Sequence, residues 1–237
     1  MSKLILGVPT LNRYDLLQRL LRSVEAGTCH PDVCLIVDNG GKLLEQLKVE
    51  DWTLKGLPKL GERIMIAKPA ANGERGCNLG VAASWNSILK AFPDDLLILS
   101  GDDIVVEPDA LEKMVAAAER SKGLFFVAKG ASSFAFFLQK PELAKKIGFY
   151  DELFWPAYYE DNDYHRRMKL AGEDYELAEG AVVTHDISST LSSLPPEEKK
   201  KFEEEIGKNS RYYGIKWGGP PGYERLTEPN PDAVNHR

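Results

Sequence analysis

The 237-residue sequence predicts an α/β fold: a mostly parallel sheet flanked by helices, followed by a short C-terminal helical and aromatic tail. Three observations predict it. Short continuous apolar runs recur at Leu4–Val8, Val33–Val37, Arg63–Ala67 and Leu96–Leu99, the pattern of strands buried on both faces. Segments that read as helices lie after the first of these runs and before and after the fourth, as the crossovers of a parallel sheet require. Polar clusters follow three of the runs, at Pro9–Arg13, Asp38–Asn39 and Gly101–Asp103, and His185 follows a last short strand. In open sheets ligands bind beyond those strand ends.

Each element has its own signal. Leu4–Val8 stops at Pro9, and Asn12 to Ala26 then carries Leu16, Leu17, Leu20, Leu21 and Val24 at helical spacing, closed by Gly27. Val33–Val37 ends in the turn Asp38-Asn39-Gly40-Gly41, so the first elements form a strand–helix–strand unit. After Arg63–Ala67, a glycine-rich loop leads into a helix whose Val81, Trp85, Ile88 and Leu89 face the core. Leu96–Leu99 delivers Asp102 and Asp103, and a helix runs from Pro108 to Ala118. Leu124–Ala128 and Ser133–Leu138 read as strands, Pro141–Ile147 and Glu160–Ala171 as helices, and Ala181–Thr184 as a last short strand. Residues 1–190 are read as the principal domain and 191–237 as a C-terminal helix and tail. Ser188–Ser193 with Pro195-Pro196 reads as a linker, Glu197–Asn209 as a highly charged helix, and the last ten residues as disordered.

Composition narrows the function classes. A net charge of −6 and a pI near 5.4 argue against a broad nucleic-acid footprint. Cys29, Cys34 and Cys77 form no CxxC pair, and zinc is not expected. Their odd number, with no signal-peptide layout, predicts reduced thiols and a cytoplasmic protein. No window reaches the ~20 apolar residues of a membrane span.

The stretch LILSGDDIVVEPDAL places two like charges at the end of a buried strand, where they repel and lose hydration. A divalent cation compensates such a pair, and acceptor-only oxygens suit Mn²⁺ or Mg²⁺. The plainer reading is an Asp-rich turn capping the next helix. Asp38 could bond a ribose or a base edge, or serve only its own turn. NGERGCNLG at Asn72–Gly80 matches neither phosphate-loop pattern, although Asn72, Arg75 and Asn78 could touch a polar ligand near a helix N-terminus. Glu160, Asp161 and Asp163 suit the start of a helix by themselves. The aromatic run Trp155-Pro156-Ala157-Tyr158-Tyr159 before them adds a sugar-like platform and an apolar setting that raises a carboxylate pKa. His185 reads either as a surface histidine or, with Asp103, as part of a metal site.

In this order the motifs VPTLNR, VDNG, NGERGCNLGVAASWN, SGDD and YYEDNDYHRRMKLAG resemble a glycosyltransferase of the GT-A (Rossmann-like) fold, family 2, of the small soluble bacterial or phage type. The resemblance spans about Leu4 to Thr190. It implies that Pro9, Thr10, Asn12, Arg13 and Asp38, with Asn72, Arg75 and Asn78, line a nucleotide-sugar pocket. It implies a DXD-type motif in which Asp103 and Asp102, with His185, hold Mn²⁺ or Mg²⁺ on the diphosphate; Gly-Asp-Asp leaves open which aspartate binds. Asp161 becomes the general base, with Glu160 second, and Trp155, Tyr158 and Tyr159 face the acceptor. Arg166 or Arg167 reaches a phosphate or pairs with nearby acids. The implied reaction is inverting transfer from a UDP-, GDP- or dTDP-sugar to a hydroxyl on a glycan, a lipid-linked glycan, a protein or a modified DNA base. The tail Tyr212–Gly219 is expected near the acceptor mouth or in a homodimer contact, with a plain packing strap as the alternative. A nucleotidyltransferase on a similar sheet and a non-catalytic nucleotide-sugar-binding module are the competing readings. The first calls for a basic glycine-rich loop where this chain has Pro9–Arg13.

Overall fold

The computed structural model describes residues 2–47, 56–73, 76–185 and 194–237. The linker 188–193, the 190/191 boundary and Arg75 therefore lie outside the described residues. The strands are β1 (Leu4–Thr10), β2 (Val33–Asp38), β3 (Ile64–Ala67), β4 (Leu96–Ser100), β5 (Ile104–Val106), β6 (Phe125–Lys129), β7 (Phe136–Gln139) and β8 (Tyr175–His185). The helices are α1 (Tyr14–Glu25), α2 (Leu43–Gln46), α3 (Val81–Ala91), α4 (Ala110–Arg120), α5 (Pro141–Ile147), α6 (Glu160–Leu170) and α7 (Pro196–Trp217).

The sheet order is β3-β2-β1-β4-β7-β6-β8-β5. β1 pairs in parallel with both β2 and β4, and β2 with β3. The far half is mixed, because β7 runs antiparallel to β4 and β6, and β5 antiparallel to β8. Alternation along each strand divides the core in two. Leu6, Val8, Ile36 and Ile98 join α1 and α4 on one face. Ile5, Leu35, Leu97 and Leu99 join α3, α5 and α6 on the other. Both faces are covered, which is why these strands read as unbroken apolar runs. Gly7 lets α3 sit close on β1, since a Cβ there would come within 2.7 Å of Ile88 and 2.8 Å of Leu99.

Four expectations need correction. β5 follows Asp103 directly, where only a turn and a helix start were expected. It is three residues long and holds its place through β8, with Ile104 opposite His185. β8 begins at Tyr175 rather than Ala181, because its first half pairs with β6 despite the exposed Leu177. α7 continues past Asn209 to Trp217, through Gly207 and Gly214. Packing explains the extension: Tyr212, Tyr213 and Trp217 form a third apolar cluster with Phe154 and Ala233. Finally, the last ten residues are ordered: Pro231–His236 forms a 3₁₀ turn with Ala233 buried and an Asn230 side-chain cap on the Asp232 amide. Among the described residues no helix is long and apolar enough to cross a membrane.

Candidate functional site

The chain turns outward from β1 twice, to β2 and β3 on one side and to β4 on the other, so the switch in strand order lies between β1 and β4. Sheets of this kind place their ligand crevice at that point. Here it is marked by one buried bond: Thr10 Oγ1, at the end of β1, donates to Asp102 Oδ2, just beyond β4, at 2.7 Å. Around it opens a cavity of about 380 Å³, lined by Pro9, Thr10, Asn78, Asp102, Asp103, Tyr158, Glu160, Asp161 and His185, among others. A wider chamber of about 1830 Å³ adjoins it, with Asn12, Asn72, Asn78, Trp155, Lys201, Lys208 and Arg237 among the residues in its walls.

The two aspartates differ. Asp102 is 7% exposed. Burial pushes its carboxyl up to about 7; the Thr10 bond opposes that shift and the Asp103 charge adds to it. Asp103 stands nearer solvent, its Oδ1 3.3 Å from His185 Nε2, with both side chains 14% exposed. The β5–β8 pairing brings these two together, since Ile104 and His185 are register partners. The two carboxylates are donors that suit Mn²⁺ or Mg²⁺. Among the described residues no group of three or more His, Cys, Asp or Glu side chains is placed to hold a metal ion.

The acid cluster arrives on α6. Tyr158 and Tyr159 both have positive φ, 71° and 74°, and no side chain caps the helix. The backbone turn therefore aims Glu160 and Asp161 into the cavity. Gly80, with φ +82°, lets the start of α3 meet that loop: a Cβ would sit 2.8 Å from Pro156 O and from Trp155. Val81 N donates to Pro156 O at 2.8 Å and Trp155 Nε1 to Asn78 O at 3.2 Å. Burial raises the Asp161 carboxyl above its ordinary range, opposed by the Asn162 amide, which donates to Oδ1 at 2.7 Å. Burial, and then the Asp161 charge, drive Glu160 well above its own range.

Glu160 Oε2 is buried with no hydrogen-bond partner among the described residues. Because its folded pKa is raised, stability falls as pH rises above the unfolded value near 4.3. Glu160→Gln is therefore expected to stabilise the protein above about pH 4.3, by about 1–3 kcal/mol near neutrality. Thermal melts of both proteins from pH 4 to 8 check this; a gap that does not widen with pH contradicts it.

Other candidates are placed differently. Asp38 lines neither cavity and is 1% exposed. Its Oδ1 accepts from Tyr14 Oη at 2.7 Å and Gly41 N at 2.9 Å, and its Oδ2 from Leu43 N at 2.8 Å. That is turn chemistry. Arg13 makes a two-point contact to Asp15. Tyr159 points away toward Tyr213, ring centroids 5.7 Å apart. Arg167 Nε donates to Asp163 Oδ2 at 2.9 Å and Arg166 Nη2 to Leu226 O at 2.9 Å. Sequence reading missed Ser132, Phe134 and Phe202, all in the cavity wall, whereas Asn39, part of the expected Asp38–Asn39 cluster, does line it. Phe202 had a visible signal, an aromatic residue alone in a charged helix.

This sheet, with its crevice at the β1/β4 switch, is the GT-A fold of glycosyltransferases. Among solved structures it is similar to S. aureus TarS (TM-score 0.60, 14% identity, covering 87% of this chain and 43% of that one). It is also similar to the Pyrobaculum calidifontis mannosyltransferase PcManGT in complex with GDP-Man and Mn²⁺ (TM-score 0.62, 12% identity, 88% and 61%). A third is S. aureus TarS 1–349 in complex with UDP-GlcNAc (TM-score 0.60, 16% identity, 87% and 66%). The chain thus spans between about two fifths and two thirds of the length of these structures. No protein-family model and no curated protein sequence matches it.

Proposed function

We propose that the chain is a metal-dependent glycosyltransferase of family 2, hexosyltransferase type. It moves a sugar from a nucleoside-diphosphate sugar to an acceptor hydroxyl with inversion. One observation carries this reading: the aspartate pair at the strand switch and a carboxylate of raised pKa on α6 line the same cavity. Solved neighbours whose complexes hold GDP-Man with Mn²⁺ or UDP-GlcNAc support it.

Asp103 and His185, with Asp102 behind them, would hold Mn²⁺ or Mg²⁺, and phosphate oxygens and water would complete its shell. When bound, the ion neutralises charge developing on the leaving diphosphate. Thr10 fixes the Asp102 rotamer. Asn12, Asn72 and Asn78 line the adjoining chamber, where a nucleoside would lie. Asp161 accepts the proton of the attacking hydroxyl, and its raised pKa makes it a better base than an exposed aspartate. A single displacement then inverts the anomeric centre, with no enzyme nucleophile. Trp155 and Tyr158 stand in the walls where the acceptor would enter.

The test is release of nucleoside diphosphate from UDP-, GDP- and dTDP-sugars, with Mn²⁺ or with EDTA. Metal-dependent release from one class supports the reading. Nucleotide binding without release leaves a non-catalytic module, and no release with no binding removes the reading altogether.

A further inference from the structure

Along α7, Asn209, Tyr212, Tyr213, Lys216 and Trp217 form one buried stripe at helical spacing. Asn209 is its neutral amide, and it is fully buried. Its Nδ2 donates to Ala157 O at 2.8 Å and to Tyr158 O at 3.2 Å. Those carbonyls belong to the turn in which Tyr158 and Tyr159 are both left-handed. Non-glycine residues hold that conformation only when their surroundings impose it. α6 starts at once after the turn without a side-chain cap, so the turn sets the position of Asp161.

We propose that Asn209 is a positioning residue: its amide, reaching from α7, locks the Tyr158–Tyr159 turn and thereby sets Asp161 in the cavity. The C-terminal helix is then part of the catalytic apparatus, although it lies outside the α/β sheet. This rests on the reading of Asp161 as general base. An amide has two N–H donors and satisfies both carbonyls at once, whereas a carboxylate of the same shape has none and repels them. Displacing a reacting group by about 1 Å costs on the order of a hundredfold in rate.

The test compares full-length wild type, Asn209→Asp, Asn209→Ala and Tyr212→Phe, using the UDP-, GDP- or dTDP-sugar that the wild type turns over. Tyr212→Phe removes a bond from the same helix to Asp151 and leaves residues 157 and 158 alone. Both Asn209 variants are expected to lose about tenfold to a hundredfold in kcat, with donor KM and the thermal shift by the nucleoside diphosphate within about twofold of wild type. Tyr212→Phe is expected to keep kcat. Asn209→Ala adds no charge, so a folding defect from a buried carboxylate does not decide the result. Unchanged kcat in Asn209→Ala, an equal loss in Tyr212→Phe, or a change confined to donor KM overturns the proposal. A wild type inert toward every donor overturns instead the assignment of Asp161, and the proposal with it.

Discussion

Asp161→Asn is expected to lower kcat by about 10²–10⁴-fold while nucleotide affinity stays near wild type. The substitution keeps the shape of the side chain and removes only its ability to take a proton. Asp161 lies on α6, whereas the residues proposed to grip the diphosphate lie at the ends of β1, β4 and β8, so the two functions separate. The pH profile gives the same claim a second reading. A general base works ionised, so kcat falls as pH drops through its folded pKa. Burial raises that pKa, which puts the acid limb above the ordinary aspartate value of about 3.9. The variant keeps no limb from this group. A variant within tenfold of wild type, with an unchanged acid limb, assigns the base elsewhere, and Glu160 is the next residue in the cavity wall.

The second large effect is on stability. Asp163 has no solvent exposure. Its Oδ1 accepts from Trp217 Nε1 at 2.9 Å and pairs with Lys216 Nζ at 2.5 Å, while Oδ2 accepts from Arg167 Nε at 2.9 Å. Lys216 also reaches Asp151 at 2.7 Å. Asp163 thus ties α7 to the first turn of α6. Asp163→Ala leaves the buried Lys216 ammonium, the partly exposed Arg167 guanidinium and an indole N–H without this acceptor, and breaking a buried pair from one side costs about 3–5 kcal/mol. For a chain of this length each kcal/mol is worth about 2–4 °C, so Tm is expected to fall by roughly 6–20 °C. A calorimetric scan that moves by less than about 3 °C contradicts the role given to this cluster.

The parallel half of the fold was legible in the sequence because its strands are buried on both faces and flanked by helices of clear period. β5 was not, since three apolar residues between Asp103 and Glu107 carry no periodicity; pairing with β8 makes them a strand. The end of α7 was hidden for a related reason. Gly207, Gly214 and a run of aromatics argue against a helix locally, and only their partners Phe154 and Ala233, distant in sequence, make it one. At the site, the aspartate pair was singled out from charge placed where burial opposes it, Asp161 from the aromatic run and motif order around it, and His185 from its place at a strand end; all four line the same cavity. The bond that unites Thr10 with Asp102 joins residues far apart in the chain, so no local pattern announces it. Asp38 shows the converse: a nucleotide contact and a turn anchor are the same residue type in the same place, and only its three short bonds tell them apart.

Asp102 and Asp103 are proposed to grip a metal that grips a diphosphate. Thermal melting with UDP, GDP, dTDP and CDP, each with and without Mn²⁺, tests this most directly, because a ligand that binds only the folded state raises Tm by mass action. The expected result is a shift for one nucleotide that requires Mn²⁺ and is lost in Asp103→Ala. No shift with any nucleotide, or the same shift with and without Mn²⁺, would contradict it.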